Sequence, residues 1–337
     1  MTDINRCWKL AARPEGMIKD SDFTWHEEPA PTELREGEIL VRTLYLSVDP
    51  TQRGWMERDT YMPAVPIGDV MRSGGIGRVV RSSAPGFSPG DLASGMVGWQ
   101  DYAVLGGNAL VAPVKLPVGV PPTMAMSLFG LTGLTAYHGL LEIGQPKEGE
   151  AVVVSGAAGA TGMVAAQIAK IKGCRVIGIA GGPEKCGWLT KELGLDAAID
   201  YKSEDVAARI RELCPNGVDV YFDNVGGDIL DAALANLALR GRVVLCGGIA
   251  SYNDLAGTGG PRNYMNLVLR RGRMEGFIVT DFAAKFGDAS RDLATWAREG
   301  RLKDRMDIVE GLENAPAALR RLFTGANTGK QLIKVAD

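Results

Sequence analysis

The feature that most constrains the fold is the stretch Ala151 to Ala180, AVVVSGAAGATGMVAAQIAKIKGCRVIGIA. Ala151–Ser155 is a run of small and branched residues, suited to a strand buried on both faces. A glycine-rich turn follows, Gly156-Ala-Ala-Gly-Ala-Thr-Gly162. Val164, Ile168 and Ile171 then recur at i, i+4 and i+7, one face of a helix. Arg175–Ala180 reads as a second apolar strand. Two such strands joined through a helix form a parallel pair with a crossover.

The alternation continues. Apolar runs at Ala197–Ile199, Val218–Phe222, Arg242–Cys246 and Met274–Val279 stand mostly between helical stretches. Gly173 and Gly194 follow helices where a left-handed C-cap is needed. Six strands with crossovers predict an α/β domain of the doubly wound, Rossmann kind. Residues 1–125 read differently. Glu38–Leu46 and Gly77–Arg81 suit strands, and Ser88-Pro-Gly-Asp91 suits a turn before a strand over Leu92–Val97. Pro113, Pro117, Pro121 and Pro122 break any long helix there. A β-rich domain with a few short helices is expected. The chain then closes with a helix-like stretch, Ala315–Phe323, a glycine turn and a short strand, Leu332–Val335.

At 337 residues the chain has room for two domains. Its net charge is -3, with no run of one sign, so nothing marks a surface for nucleic acid or membrane. No apolar run approaches the ~18–20 residues of a spanning helix. The first residues, MTDINRCWKLAARPEG, lack the apolar core of a signal peptide, and a cytoplasmic location is expected. The five cysteines, at 7, 174, 186, 214 and 246, form no C-x-x-C pair and read as reduced thiols, most of them buried. With only His26 and His138 in addition, no Cys/His cluster has the spacing of a zinc site. His138, in Thr135-Ala-Tyr-His-Gly, reads as a packed or surface histidine rather than a catalyst.

The glycine turn carries the first functional reading. In the fingerprint G-x-G-x-x-G its positions fall on Ala157, Gly159 and Gly162. Gly159 lets a pyrophosphate approach the backbone, and Gly162 lets the helix pack on the sheet. The helix N-terminus offers amide groups and positive potential to the phosphates. Ala158, Gly159, Ala160, Thr161 and Gly162 are therefore expected to bind a dinucleotide. The bland alternative is a tight turn with no ligand. An acid at the end of the second strand would select NAD, by accepting hydrogen bonds from the ribose 2′-hydroxyl. Ala180-Gly181-Gly182 stands there instead, and Lys185 follows within one turn. That favours NADP(H), unless Lys185 is only a solvated helix lysine.

Several segments together resemble the zinc-independent medium-chain dehydrogenase/reductases, in the branch of leukotriene B4 12-hydroxydehydrogenase/prostaglandin reductase and 2-alkenal reductase. They are Leu44-Tyr-Leu-Ser-Val-Asp-Pro50, Leu131-Thr-Gly-Leu-Thr-Ala-Tyr137, the Ser155–Gly162 turn, Tyr221-Phe-Asp-Asn-Val-Gly-Gly227, Met274-Glu-Gly-Phe-Ile-Val279 and Gly325-Ala-Asn-Thr-Gly-Lys330. The resemblance implies a GroES-like domain from residues 1–126 with 305–337, and a Rossmann domain over 127–304. It implies that Lys185 and Tyr201 meet the 2′-phosphate, and that Asn224 lies beside the cofactor. It places Cys246, Gly247, Gly248, Ile249 and the loop on to Tyr252 along the nicotinamide half. Phe277, Ile278 and Val279 would lie beneath that half, and Asn327 would reach back to the cofactor. Turn capping is the other reading of the two asparagines. Homodimers by sheet extension are common in such proteins and are expected here.

Two departures stand out. Gly68-Asp-Val lies where zinc-dependent relatives carry a ligand-bearing Gly-His-Glu, and no four-cysteine lobe is present, so alkoxide activation by zinc is disfavoured. Thr51-Gln52 replace the Tyr-Met that often follows Val-Asp-Pro, so the substrate mouth differs. The chemistry left is hydride transfer to the β-carbon of an enone or enal. Tyr252 either donates to the enolate oxygen, relays a proton, or forms a wall. A quinone is the alternative acceptor, and a non-catalytic nucleotide-binding sensor or scaffold is the alternative class.

Overall fold

The computed structural model describes residues 3–107, 111–254 and 260–337. The chain begins with β1 (Ile4–Leu10), β2 (Phe23–Pro29), β3 (Glu38–Ser47), α1 (Thr51–Trp55), β4 (Gly75–Ser82), β5 (Leu92–Gly95), β6 (Tyr102–Gly106), β7 (Val114–Lys115) and α2 (Pro122–Met126). The middle runs α3 (Leu131–His138), β8 (Ala151–Ser155), α4 (Ala160–Ile171), β9 (Arg175–Ala180), α5 (Pro183–Lys191), β10 (Ala197–Asp200), α6 (Val206–Leu213) and β11 (Val218–Asp223). It continues through α7 (Gly227–Ala235), β12 (Leu237–Leu245), α8 (Asn266–Arg270), β13 (Arg273–Gly276) and α9 (Phe286–Arg298). The chain then adds β14 (Met306–Glu310), α10 (Ala315–Thr324) and β15 (Lys330–Lys334).

Two compact units result. One combines Met1–Met126 with Met306–Asp337, and the other is Ser127–Arg305. In the first, β3 is the hub: it pairs antiparallel with β4, β6 and β15. Alternate residues of these strands bury Ile39, Val41, Leu46, Val79 and Ile333 in one core with Phe23, Trp99 and Leu319. A buried ion pair fastens this hub. Lys330 Nζ lies 2.5 Å from Asp49 Oδ1, and the lysine side chain is 1% exposed.

The second unit is one parallel sheet in the order β10-β9-β8-β11-β12-β13. Val152, Val153 and Val154 of β8 are fully buried, as expected for a strand covered on both faces. Each buried valine contributes roughly 1.5–3 kcal/mol over an exposed one. Val164 and Ile168 press the inner face of α4 onto the sheet, and Gly173 and Gly194 take the left-handed conformation at the helix ends. The architecture is thus the mixed α/β one expected, with a β-rich unit and a Rossmann-like unit.

Some strand limits differ from the sequence reading. The sixth strand stops at Gly276, not Val279, and Val279 opens a 3-10 turn to Lys285. The reason is packing. Phe277 turns its ring under the end of α3, where a Cβ on Gly139 would lie only 2.4 Å from Phe277 Cζ. β5 likewise ends at Gly95, and β12 starts earlier, at Leu237. His138 is fully buried and stacked on Phe282 at 4.9 Å, so it is a packing residue whose burial lowers its pKa.

Candidate cofactor and active site

β8 and β11 are neighbours, yet the chain leaves them toward β9 on one side and β12 on the other. Such a switch point opens a crevice at the carboxyl ends of the strands. The loops that meet there follow β8, β11, β12 and β13. An open groove of about 640 Å³ lies beside them, lined by Asp223, Gly226, Leu230, Leu245, Cys246, Gly247, Gly248, Gly276, Phe277, Ile278 and Asp281.

The glycine turn is shaped by close approach. Gly156 adopts a positive φ of 58°, and a Cβ on Gly162 would lie 2.2 Å from the Gly156 carbonyl oxygen. Ala157 N–H donates to Ile179 O at 3.0 Å, and Ala158 is buried in the turn. Among the described residues no side chain caps α4, whose N-cap is Gly159. The amides of Ala160, Thr161 and Gly162 therefore stand at an uncapped, electropositive helix start. That donor set fits the pyrophosphate of a dinucleotide.

Asn224 is fixed from β8. Its Nδ2 donates to Ser155 O at 2.6 Å, and its N–H donates to Ser155 Oγ at 2.9 Å. Ser155 Oγ in turn donates to Asp223 Oδ1 at 2.9 Å. That oxygen also accepts from Tyr221 Oη, Val225 N and Gly226 N at 2.9–3.1 Å. Burial pushes the Asp223 carboxyl above its usual range against these donors. Asp223 lies in the Tyr221–Gly227 segment and is a residue that sequence reasoning missed. Its signal was an acid ending an otherwise apolar strand.

On the other side of β8, β9 ends in Ala180, and Gly181-Gly182 lead into α5. The side chains of Tyr201 and Lys202 fold across Gly181, each within 2.9 Å of where a Cβ would lie. Lys185 sits in the first turn of α5, half-buried. Asp200, ending β10, accepts from Gly182 N at 2.7 Å and Lys202 N at 3.0 Å. Neither Asp200 nor Lys202 was legible in the sequence, because their approach to Gly182 and Gly181 depends on the pairing of β10 with β9.

At the other side, Cys246 N–H and Gly247 N–H donate to Asp223 O at 2.9 and 3.0 Å. Ile249 begins a 3-10 turn, Ile249–Ser251, that delivers Tyr252. The Tyr252 hydroxyl oxygen accepts from Gly248 N–H at 3.2 Å. Cys246, Gly247, Gly248, Phe277 and Ile278 thus share the groove with Asp223, while Val279 is not among its lining residues. Of the loop 251–264 expected to shape the pocket, residues 255–259 lie outside the described residues.

Asn327 belongs to the first unit, where its Nδ2 donates to Gly329 O at 3.2 Å. Gln52 is fully buried and donates to Ser47 O and Arg72 O at 3.2 Å. Thr51 Oγ1 lies 2.8 Å from the hydroxyl of Tyr61, a phenol the sequence reading did not connect with this position. The Gly68–Val70 segment is taken up in backbone pairing with β1, through Leu10 N–H to Asp69 O and a bridge between Lys9 and Val70. Among the described residues, no three His, Cys, Asp or Glu side chains stand together as a metal-ligand set.

Residues 6–112 match the family described as the N-terminal domain of oxidoreductase, and residues 160–295 match the zinc-binding dehydrogenases. An Escherichia coli (strain K12) protein named NADPH-dependent curcumin reductase is 42% identical, over 98% of this chain and 97% of its own. The chain belongs to the medium-chain dehydrogenase/reductases. Within that family it is 37% identical to the NADP(+)-dependent 2-alkenal reductase of Nicotiana tabacum, over 95% of this chain and 94% of the relative. The crystal structure of CurA from Vibrio vulnificus in complex with NADPH matches this dehydrogenase/reductase with a TM-score of 0.92 and 39% identity. That match covers 98% of this chain and 99% of CurA.

Proposed function

We propose that this chain is a zinc-independent, NADPH-dependent reductase of the carbon–carbon double bond in α,β-unsaturated ketones and aldehydes. When bound, the reduced nicotinamide supplies a hydride to the β-carbon of the substrate. The uncapped start of α4 holds the diphosphate through its amides, and Lys185 with Tyr201 receives the 2′-phosphate. In this reading Asn224, Cys246, Gly247, Gly248, Ile249, Phe277, Ile278 and Val279 serve the nicotinamide half, and Asn327 is a further cofactor-binding residue.

The observation that carries the reading is the pose of Tyr252. Its oxygen accepts from the Gly248 amide, which aligns the phenol beside the groove containing Cys246 and Phe277. A phenol oriented in this way serves a developing enolate oxygen without a metal. The deciding experiment is product analysis with a simple enone and with 4-hydroxynonenal. A saturated carbonyl is expected, and an allylic alcohol would put the hydride on the wrong carbon. Activity is expected to survive dialysis against a strong chelator, and one zinc per purified chain would overturn metal independence.

The same proposal includes a cytoplasmic homodimer acting on small molecules. Among the described residues β13 has only β12 as a sheet neighbour, and nearby α8 with its approach exposes Tyr264, Met265, Val268 and Leu269 at 51–66%. An open strand edge flanked by apolar side chains suits pairing with a second copy. Light scattering of the purified protein tests this directly.

A further inference from the structure

We propose that Lys202 is a specificity-determining residue at the 2′-phosphate of the cofactor, and that Asp200 is the residue that positions it. This rests on the NADPH reading above and extends it to two residues beyond Lys185 and Tyr201.

The backbone geometry comes first. One oxygen of Asp200, Oδ1, accepts from Gly182 N at 2.7 Å and from Lys202 N at 3.0 Å. Its other oxygen accepts from Ser203 Oγ at 2.9 Å. A single carboxylate therefore clamps the turn after β9 to the turn after β10. Tyr201 N–H adds a bond to Ala180 O at 3.1 Å, closing the same junction.

The side chains follow from the clamp. Lys202 Cε and Tyr201 Oη each lie 2.9 Å from the position a Cβ on Gly181 would take. The lysine stem and the phenol thus converge over one glycine, at the place where an NAD site would hold an acid. Any larger residue at 181 would push both away. The Lys202 ammonium enters no hydrogen bond or ion pair among the described residues, and the residue is exposed.

Charge gives the reason for a second cation. The amides of Gly182 and Lys202 hold the Asp200 carboxyl below its usual range, so it stays ionised at neutral pH. An ionised acid next to Gly182 repels a phosphate dianion. Its oxygens are occupied by the Gly182 and Lys202 amides and the Ser203 hydroxyl, and Lys202 supplies the offsetting charge. The acid of an NAD site has in effect been moved one strand over and converted into a clamp.

Binding of 2′,5′-ADP and of 5′-AMP to the full chain, measured by calorimetry, tests this without turnover. Lys202→Ala is expected to weaken 2′,5′-ADP roughly tenfold and 5′-AMP by less than about twofold, with Lys202→Arg restoring most of the loss. Asp200→Ala is expected to weaken 2′,5′-ADP selectively, while Asp200→Asn, which keeps an acceptor oxygen, loses less. Circular dichroism checks that each variant is folded. In steady-state assays the NADPH to NADH ratio of kcat/KM should fall with Lys202→Ala through KM, not kcat. Unchanged 2′,5′-ADP binding in Lys202→Ala, beside a clear loss in Lys185→Ala, overturns the role of Lys202 alone. An equal loss of both ligands makes Lys202 merely structural, and an Asp200→Asn as weak as Asp200→Ala removes the clamp. A wild type that binds 2′,5′-ADP no tighter than 5′-AMP overturns the NADPH reading beneath it.

Discussion

The hydroxyl oxygen of Tyr252 is 3.2 Å from the amide nitrogen of Gly248, four residues back in the chain. The contact makes the phenol oxygen an acceptor from the backbone. It thereby fixes the direction of the ring against the loop that follows β12. Tyr252→Phe keeps the ring and removes both the acceptor and the O–H. If the O–H stabilises charge in the transition state, kcat falls by about 100-fold while KM changes much less. A fall of only a few-fold, read by steady-state kinetics with an enone, would reduce Tyr252 to a wall residue.

Lys185 provides a second prediction. A hydrogen bond to a charged group contributes about 1.5–3 kcal/mol, so Lys185→Ala should raise the NADPH KM roughly tenfold or more. The NADH KM should hardly move, since its ribose carries no second phosphate. Equal effects on the two cofactors would remove Lys185 from the phosphate site.

The thiols predict a pH dependence. Burial raises the pKa of Cys174 and Cys214 to about 11, and burial with the Asp223 charge raises that of Cys246 to about 12. In an unfolded chain these thiols ionise near about 8.5. A folded pKa above the unfolded one gives stability that is complete below about 8.5 and is lost as pH rises toward the folded values. The Tm should be level between about pH 7 and 8.5, then fall steadily to about pH 11. Alkylation of Cys246 by iodoacetamide at neutral pH should be slow compared with a free thiol, because the thiolate is the nucleophile. This matters for an enzyme whose proposed substrates are themselves thiol-reactive.

Lys330 provides a stability prediction. Lys330→Met leaves Asp49 without its 2.5 Å partner. Removing one member of a buried pair costs about 3–5 kcal/mol, and the 27% exposure of Asp49 places this case at the lower end. Thermal melts should show a clear drop, with partial recovery when Asp49 is also made Asn.

The parallel sheet was legible because its strands are near-continuous apolar runs with helices at a 3.6-residue period between them. Ala151–Ser155 and Arg175–Ala180 match β8 and β9 residue for residue. The glycine turn was legible for a local reason: a Cβ on Gly162 would lie 2.2 Å from a carbonyl oxygen only six residues away. Contacts across the sheet were not. Asp200 reaches Gly182, and Asp223 reaches Ser155, only after parallel strands have paired. No spacing rule along the chain predicts those neighbours. The same holds for Thr51 and Tyr61, which face each other through a turn whose path has no repeating pattern. The end of β13 was misjudged because Phe277 looks like a strand residue and is in fact diverted to fill a space under Gly139.

The place of β15 has a consequence for biosynthesis. This strand joins β3, and residues 127–305, which are translated between the two, make a separate compact unit. On the ribosome the Rossmann-like unit can therefore fold while the sheet begun at residue 38 still lacks residues 330–334. During that interval β3 offers an unpaired edge, the kind of surface that invites aggregation. Maturation of the first unit waits for residues 306–334 to be translated, so slow synthesis over that stretch would prolong the exposed state and lower the yield of native protein.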